Sequence, residues 1–203
     1  MSNEGEILGM RSTVAVGILI AVLAHVPACS AAGTDPAVTV AISEVNGNWE
    51  ITVPVSHVTL VVPEAGLRLI KADSGGSTSS PRYFLLKDDA KGERIVSGWF
   101  ESALRVKDVK QTLQGSWDVE GANLKKSGFE PYDVVVGEIG DWATISYQIQ
   151  VPTKAGSSVQ IRASRIIADT WIDLHLSVTS GAPTDENRAL VTQLLKSMRV
   201  RVR

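Results

Sequence analysis

Residues 142–178 read WATISYQIQVPTKAGSSVQIRASRIIADTWIDLHLSV, and the periodicity of this stretch decides the fold. From Trp142 onward, Ala143, Ile145, Tyr147, Ile149 and Val151 share one parity, while Thr144, Ser146, Gln148 and Gln150 share the other. Alternation of this kind marks a half-buried strand, because successive side chains leave a strand on opposite faces. The turn formers Pro152 to Ser157 interrupt it. A second run sets Val159, Ile161 and Ala163 against Gln160, Arg162 and Ser164. A third, after Ala168-Asp169, sets Ile172, Leu174, Leu176 and Val178 against Trp171, Asp173, His175 and Ser177. Keeping one apolar face continuous predicts the register, since a one-residue slip turns every side chain over. Val151 is expected opposite Val159, Ile149 opposite Ile161, and Ala163 opposite Leu174. The other face then carries a polar row, Gln148–Arg162–His175, with Ser164 and Asp173 beside it. Parity places Trp142 and Trp171 on that polar face too. Tyr132 to Val136 adds a fourth strand through a turn at Glu138 to Asp141.

Working outward, Asn46-Gly47 between two alternating runs predicts an N-terminal hairpin with Val45 opposite Asn48 and Ile42 opposite Ile51. Val58 to Val62, Gly66 to Ile70, Arg82 to Lys87 and Arg94 to Ser102 read as further extended segments. The last two form a hairpin around a solvated turn at Asp88 to Gly92. Asp73 to Pro81 is a Gly- and Ser-rich loop. It leads into a strand rather than a helix, so it does not fit a phosphate-binding loop.

Val106 to Ser127 is the internal helix, with Val106, Val109, Leu113, Trp117 and Leu124 near helical spacing. Lys125-Lys126 and Gly128 mark its end, and Gly115 and Gly121 weaken it. Trp117 is expected to anchor this helix on the sheet. A second helix follows Thr184, its candidate N-cap, and runs to about Met198. Arg199, Arg201 and Arg203 then alternate with Val200 and Val202 in a last extended segment with a solvated basic face.

The N-terminus reads as an address. Arg11, the apolar run Val14 to Ala24 and the small residues Ala28 to Ala32 follow the order of a secretory signal peptide over residues 1–28. That apolar run is too short for a bilayer span, which needs roughly 20 residues. Met10-Arg11 is an alternative start that would remove Glu4 and Glu6. Val26-Pro27-Ala28-Cys29 resembles a lipobox, with Cys29 as the lipidated residue, although Pro27 departs from the pattern. Ordinary cleavage after Ala28, Ala31 or Ala32 is the rival, and a cytoplasmic protein with an apolar N-terminal helix is a third reading. Residues 29–36 form a tether, and residues 37–203 a single domain of ordinary size.

The chain has 203 residues and a formal charge of −2, which gives no electrostatic footprint for nucleic acid. Its single cysteine precludes an intramolecular disulfide. Of the three histidines His25 lies in the leader, and neither His57 nor His175 has the neighbouring Cys or His that zinc requires; the two aspartates at 88–89 lack the spacing of a calcium loop. No Gly-x-Ser-x-Gly elbow is present. No cofactor or metal is therefore expected. The candidate site is the polar face of the meander: Trp142, Arg162, Trp171, Asp173 and His175. Tryptophan and arginine are enriched at interface hot spots, which points to protein binding. A helix packed over that face is the competing reading. Asp173 and His175, two apart in one strand, form the only acid–base pair for a weak hydrolase.

The element order resembles the PsbP-like α/β/α sandwich, also found in small exported bacterial lipoproteins and in Ran-binding Mog-type proteins. The resemblance rests on the N-terminal hairpin, Arg82-Tyr83-Phe84, Gly98-Trp99-Phe100, the helix over Val106 to Ser127, the meander, and the terminal helix running into Ser197-Met198-Arg199-Val200. It covers about Trp49 to Val202 in pattern and brings no catalytic motif. It implies an antiparallel sheet flanked by helices and a non-enzymatic accessory role. The expectation is an α+β protein of the cell envelope, periplasmic or membrane-anchored through Cys29, that binds or assembles with a protein partner. Alternatives are a secreted soluble protein, an immunity-type inhibitor of a toxin, or a hydrolase using Asp173 and His175.

Overall fold

The computed structural model describes residues 40–53, 56–72, 84–88, 90, 93–104, 106–150 and 157–203. The leader, Cys29, the tether, the Ser/Gly loop and the turn after Gln150 lie outside the described residues. Among the described residues the protein is α+β, mostly antiparallel sheet with two helices. Strands β1 (Ala41–Val45), β2 (Asn48–Val53) and β3 (Val58–Pro63) open the chain, followed by β4 (Arg68–Ala72), β5 (Phe84–Asp88) and β6 (Glu93–Ser102). Helix α1 (Val109–Lys126) precedes β7 (Tyr132–Ile139), β8 (Trp142–Gln150), β9 (Ser157–Ile167) and β10 (Thr170–Thr179). Helix α2 (Thr184–Ser197) and β11 (Arg199–Val202) end it. A seven-stranded sheet has the order β4-β5-β6-β10-β9-β8-β7, and a four-stranded sheet the order β1-β2-β3-β11.

The β9–β10 register is the expected one, with Ala163 opposite Leu174 and Ile161 opposite Leu176. The β8–β9 register is not. Ile149 faces Ser158, Tyr147 faces Gln160 and Ile145 faces Arg162. This is an odd shift from the expected pairing, so β8 is turned over relative to its neighbour. The physical reason is helix α1. Its Leu113, Trp117 and Leu124 need an apolar surface, and Ala143, Ile145, Tyr147 and Ile149 of β8 provide it. Each face of the sheet is therefore apolar, on different strands. On the other face, Val159, Ile161 and Ala163 of β9 join Ile172, Leu174, Leu176 and Val178 of β10. That main core also takes Ile51, Val58, Leu60 and Val62 from the small sheet and Val191, Leu194 and Leu195 from α2.

Local signals account for the helix ends. Asp108 caps α1 by accepting from the Gln111 amide at 2.9 Å, and Gly128 follows its end at a φ of +83°. Gly115 and Gly121 lie within a continuous helix, Gly121 in the stretch that packs against Trp117. The N-cap of α2 lies one residue earlier than expected: Pro183 occupies it and Thr184 is the first helical residue. In the β5–β6 hairpin Asp88 corrects the reading of a solvated turn. It is buried, accepts the Ala90 amide at 2.8 Å and is ion-paired with Arg94. Its pKa is lowered by the Ala90 bond first and by Arg94 second.

Gly98 of β6 lies between Phe84 of β5 and Leu174 of β10. A Cβ there would lie 2.5 Å from the Asp173 carbonyl oxygen and 2.8 Å from Leu174 Cδ2. The first contact is backbone and cannot rotate away. Gly98→Ala is expected to destabilise the protein by about 1–3 kcal/mol, seen as a lower urea midpoint at unchanged slope. An unaltered midpoint would mean that β6 moves outward freely.

Candidate functional site

The charged groups of the meander converge beneath α1. Arg162 of β9 lies opposite His175 of β10, and Asp173 lies opposite Ser164 and Trp99. Because β9 and β10 are in register, Arg162 reaches Asp173 diagonally. Its Nη2 donates to both Asp173 oxygens, at 3.0 and 2.9 Å, and its Nε donates at 3.3 Å. Its Nη1 donates to Glu120 of α1. The guanidinium also lies 5.0 Å from the centre of the Trp99 ring. Glu120 accepts a second bond, from the Tyr147 hydroxyl, at 2.7 Å. That hydroxyl is 3.5 Å from His175 Nε2. Trp117 closes the group by packing on Tyr147, with ring centres 4.5 Å apart. The result is one cation held between two carboxylates, with a histidine and a tyrosine alongside.

Burial sets the titration of each member. Arg162 and Asp173 are almost wholly buried, at 3% and 0% exposure. Burial works against the Arg162 charge, but Asp173 and Glu120 outweigh it and raise the arginine pKa. Burial also works against ionised Glu120. The Arg162 charge, the neighbouring His175 and the Tyr147 bond overcome it and hold Glu120 below its ordinary range. Asp173 titrates above its ordinary range, because its burial and the Glu120 charge prevail over Arg162. Tyr147 is pushed well up by burial and by Glu120. His175 is pushed down to about 4, chiefly by desolvation. Its Nδ1 is buried and has no hydrogen-bond partner among the described residues.

Of the five candidate residues, the structure brings together Arg162, Asp173 and His175. Trp171 shares their face and is half-buried. Trp142 does not join them. The turned-over β8 puts it in the main core, where Arg165 stacks 5.4 Å from its ring centre. Gln148 moves with it: it lies opposite Val159 and donates to Asp133 at 2.6 Å, so the expected row to Arg162 is broken. The five residues thus do not form one open face: Arg162 and Asp173 lie in a buried network with Glu120 of α1, and Trp142 lies in the main core. Glu120 was the residue missed. Its signal is its place in α1, where Leu113, Trp117, Glu120 and Leu124 follow a four-three-four spacing and share one stripe. An acid on an apolar stripe calls for a buried cation. Among the described residues, no group of three or more His, Cys, Asp or Glu is placed to hold a metal, and no helix is long and apolar enough to cross a membrane.

No family model matches the chain, and no curated protein matches it. Among solved structures it is similar to the Ran-binding protein Mog1p of Saccharomyces cerevisiae, at 16% sequence identity and a TM-score of 0.43, over 76% of this chain and 95% of that one. It is also similar to a crystal structure from Bacteroides thetaiotaomicron, at 12% identity and a TM-score of 0.42, over 71% of this chain. The chain spans 45% of that protein's length.

Proposed function

We propose that this chain is an exported cell-envelope protein with a non-catalytic role in binding or assembly. The observation that carries the reading is the fate of Asp173. Both of its carboxylate oxygens are held by Arg162, and the pair is buried under α1. A general acid or base must reach the proton it transfers, directly or through one water. Asp173 and His175 are committed inward, so hydrolysis by this pair is disfavoured. The remaining role is recognition by the outer surface, with a protein of the envelope as partner. The arrangement of α1 on one face of the large sheet and α2 on the other supports an α/β/α sandwich of the PsbP-like kind.

Export and anchoring rest on residues 1–32, with Cys29 as the lipidated residue of the mature chain. The full gene expressed in a bacterium tests this. A mature mass beginning at acylated Cys29, recovered with membranes, is expected, and Cys29→Ser is expected to move the protein into the soluble periplasmic fraction. Cleavage after Ala28, Ala31 or Ala32 without acylation would keep export and remove the anchor. An uncleaved chain in the cytoplasm would overturn the proposal.

A further inference from the structure

Buried polar atoms are almost always hydrogen-bonded, so a cluster of exceptions points to something that bonds them. Ser97, Gln160 and Ser177 are each 1% exposed. Yet Ser97 Oγ, Gln160 Oε1 and Ser177 Oγ have no hydrogen-bond partner among the described residues, and neither has His175 Nδ1. The register sets these four residues side by side. Ser97 of β6 lies opposite His175 of β10, and Ser177 of β10 lies opposite Gln160 of β9. Residues paired in this way share a face, with Cβ atoms roughly 4.5–5.5 Å apart. It is the face that carries Arg162 and Asp173. Each serine stands opposite a longer side chain, and its shortness leaves room above it.

Two hydrogen-bonded chains end at this cluster. In one, Ser158 Oγ lies 2.6 Å from Thr179 Oγ1 and accepts from Gln160 Nε2 at 2.6 Å. The other runs from Asp173 through Arg162, Glu120 and Tyr147 to His175. Their loose ends are alike. Gln160 Nε2 is spent on Ser158, so Oε1 is left to accept. The Tyr147 hydroxyl is spent on Glu120, so toward His175 its oxygen can only accept. That places the imidazole hydrogen on Nε2 and leaves Nδ1 bare. Two acceptors thus stand among two serine hydroxyls, each of which can donate or accept, and no direct bond closes among the four.

We infer that internal water occupies this cluster, held by Ser97, Gln160, His175 and Ser177, and joins the two chains into one. Water brings the hydrogens that Nδ1 and Oε1 lack and the lone pairs that the serine hydroxyls need, and two to four polar partners are what a buried water takes. An apolar occupant would leave all four atoms unbonded. An anion would meet two acceptors, and a cation would meet the Arg162 guanidinium on the same face. The water fixes the tautomer of His175 and ties β6, β9 and β10 together through side chains. The inference is independent of the binding role and of export.

Ser97→Ala and Ser177→Ala separate the cases by sign. A buried hydroxyl with no partner is a burden, and its removal would raise the urea midpoint. A hydroxyl that holds water is a partner, and its removal is expected to lower the midpoint. Magnetic relaxation dispersion of water counts the molecules held by the purified full chain. The Ser97→Ala/Ser177→Ala double variant is expected to hold fewer than the parent. Nitrogen NMR of the imidazole in the parent at neutral pH should show the Nε2–H tautomer. An unchanged number of held waters, a raised midpoint, or the Nδ1–H tautomer would each overturn the inference.

Discussion

Arg162→Leu is expected to destabilise the protein by about 3–5 kcal/mol, the range found when one partner of a buried ion pair is removed. The substitution retains most of the volume, so the effect is electrostatic. Asp173 would lose every bond that Arg162 donates to it, and Glu120 would keep only the Tyr147 hydroxyl. Two buried carboxylates would then face one another with no cation between them. Adding Glu120→Gln and Asp173→Asn to Arg162→Leu removes both charges and should restore a large part of the loss, because these three residues act as one unit and their effects do not add. Urea unfolding of the single and triple variants separates the cases. A single variant as stable as the parent would show that water reaches the carboxylates and that α1 does not seal them.

The second large effect is with pH. His175 is neutral in the folded protein because its pKa is lowered to about 4, first by desolvation. In the unfolded chain it takes up a proton near its ordinary value of about 6.5. Above that value both states are neutral and the stability is fully present. As the pH falls, only the unfolded state gains the proton, and stability declines until the folded pKa is passed. The loss is about 2 kcal/mol by pH 5 and about 3 kcal/mol by pH 4. The two carboxylates act in opposite directions. Glu120, whose pKa is lowered, adds to the acid loss, whereas Asp173, whose pKa is raised, opposes it. His175→Gln should flatten the decline between pH 7 and pH 5. A variant that declines as steeply as the parent would place the sensitivity in another group.

How much of this was legible in the sequence depends on which elements compete for a face. The register of β9 on β10 follows from the sequence because both strands turn their apolar residues the same way, toward the main core. The register of β8 on β9 does not follow, since matching apolar to apolar assumes that only one face is buried. Helix α1 buries the other. Ile145 therefore lies opposite Arg162, and the alternation of each strand is satisfied on a different side. Trp142 was carried to the wrong face by the same assumption. The inner position of Trp117 was readable from helical spacing alone. Glu120 was readable only by asking why an acid shares that stripe. The pairing of β11 with β3 had no local signal, because Val200 and its partner Leu60 are far apart in the chain.

That last pairing orders events in time. Strand β3 has β2 on one side from early in synthesis, but its other neighbour consists of residues Arg199–Val202. The four-stranded sheet is therefore incomplete until Arg199–Val202 are made, and contacts this distant in sequence are slow to form. Until then β3 carries an open, valine-rich edge, of the kind that unfinished chains expose to aggregation. Residues Arg199–Val202 serve as the closing piece of a layer that residues 41–63 lay down.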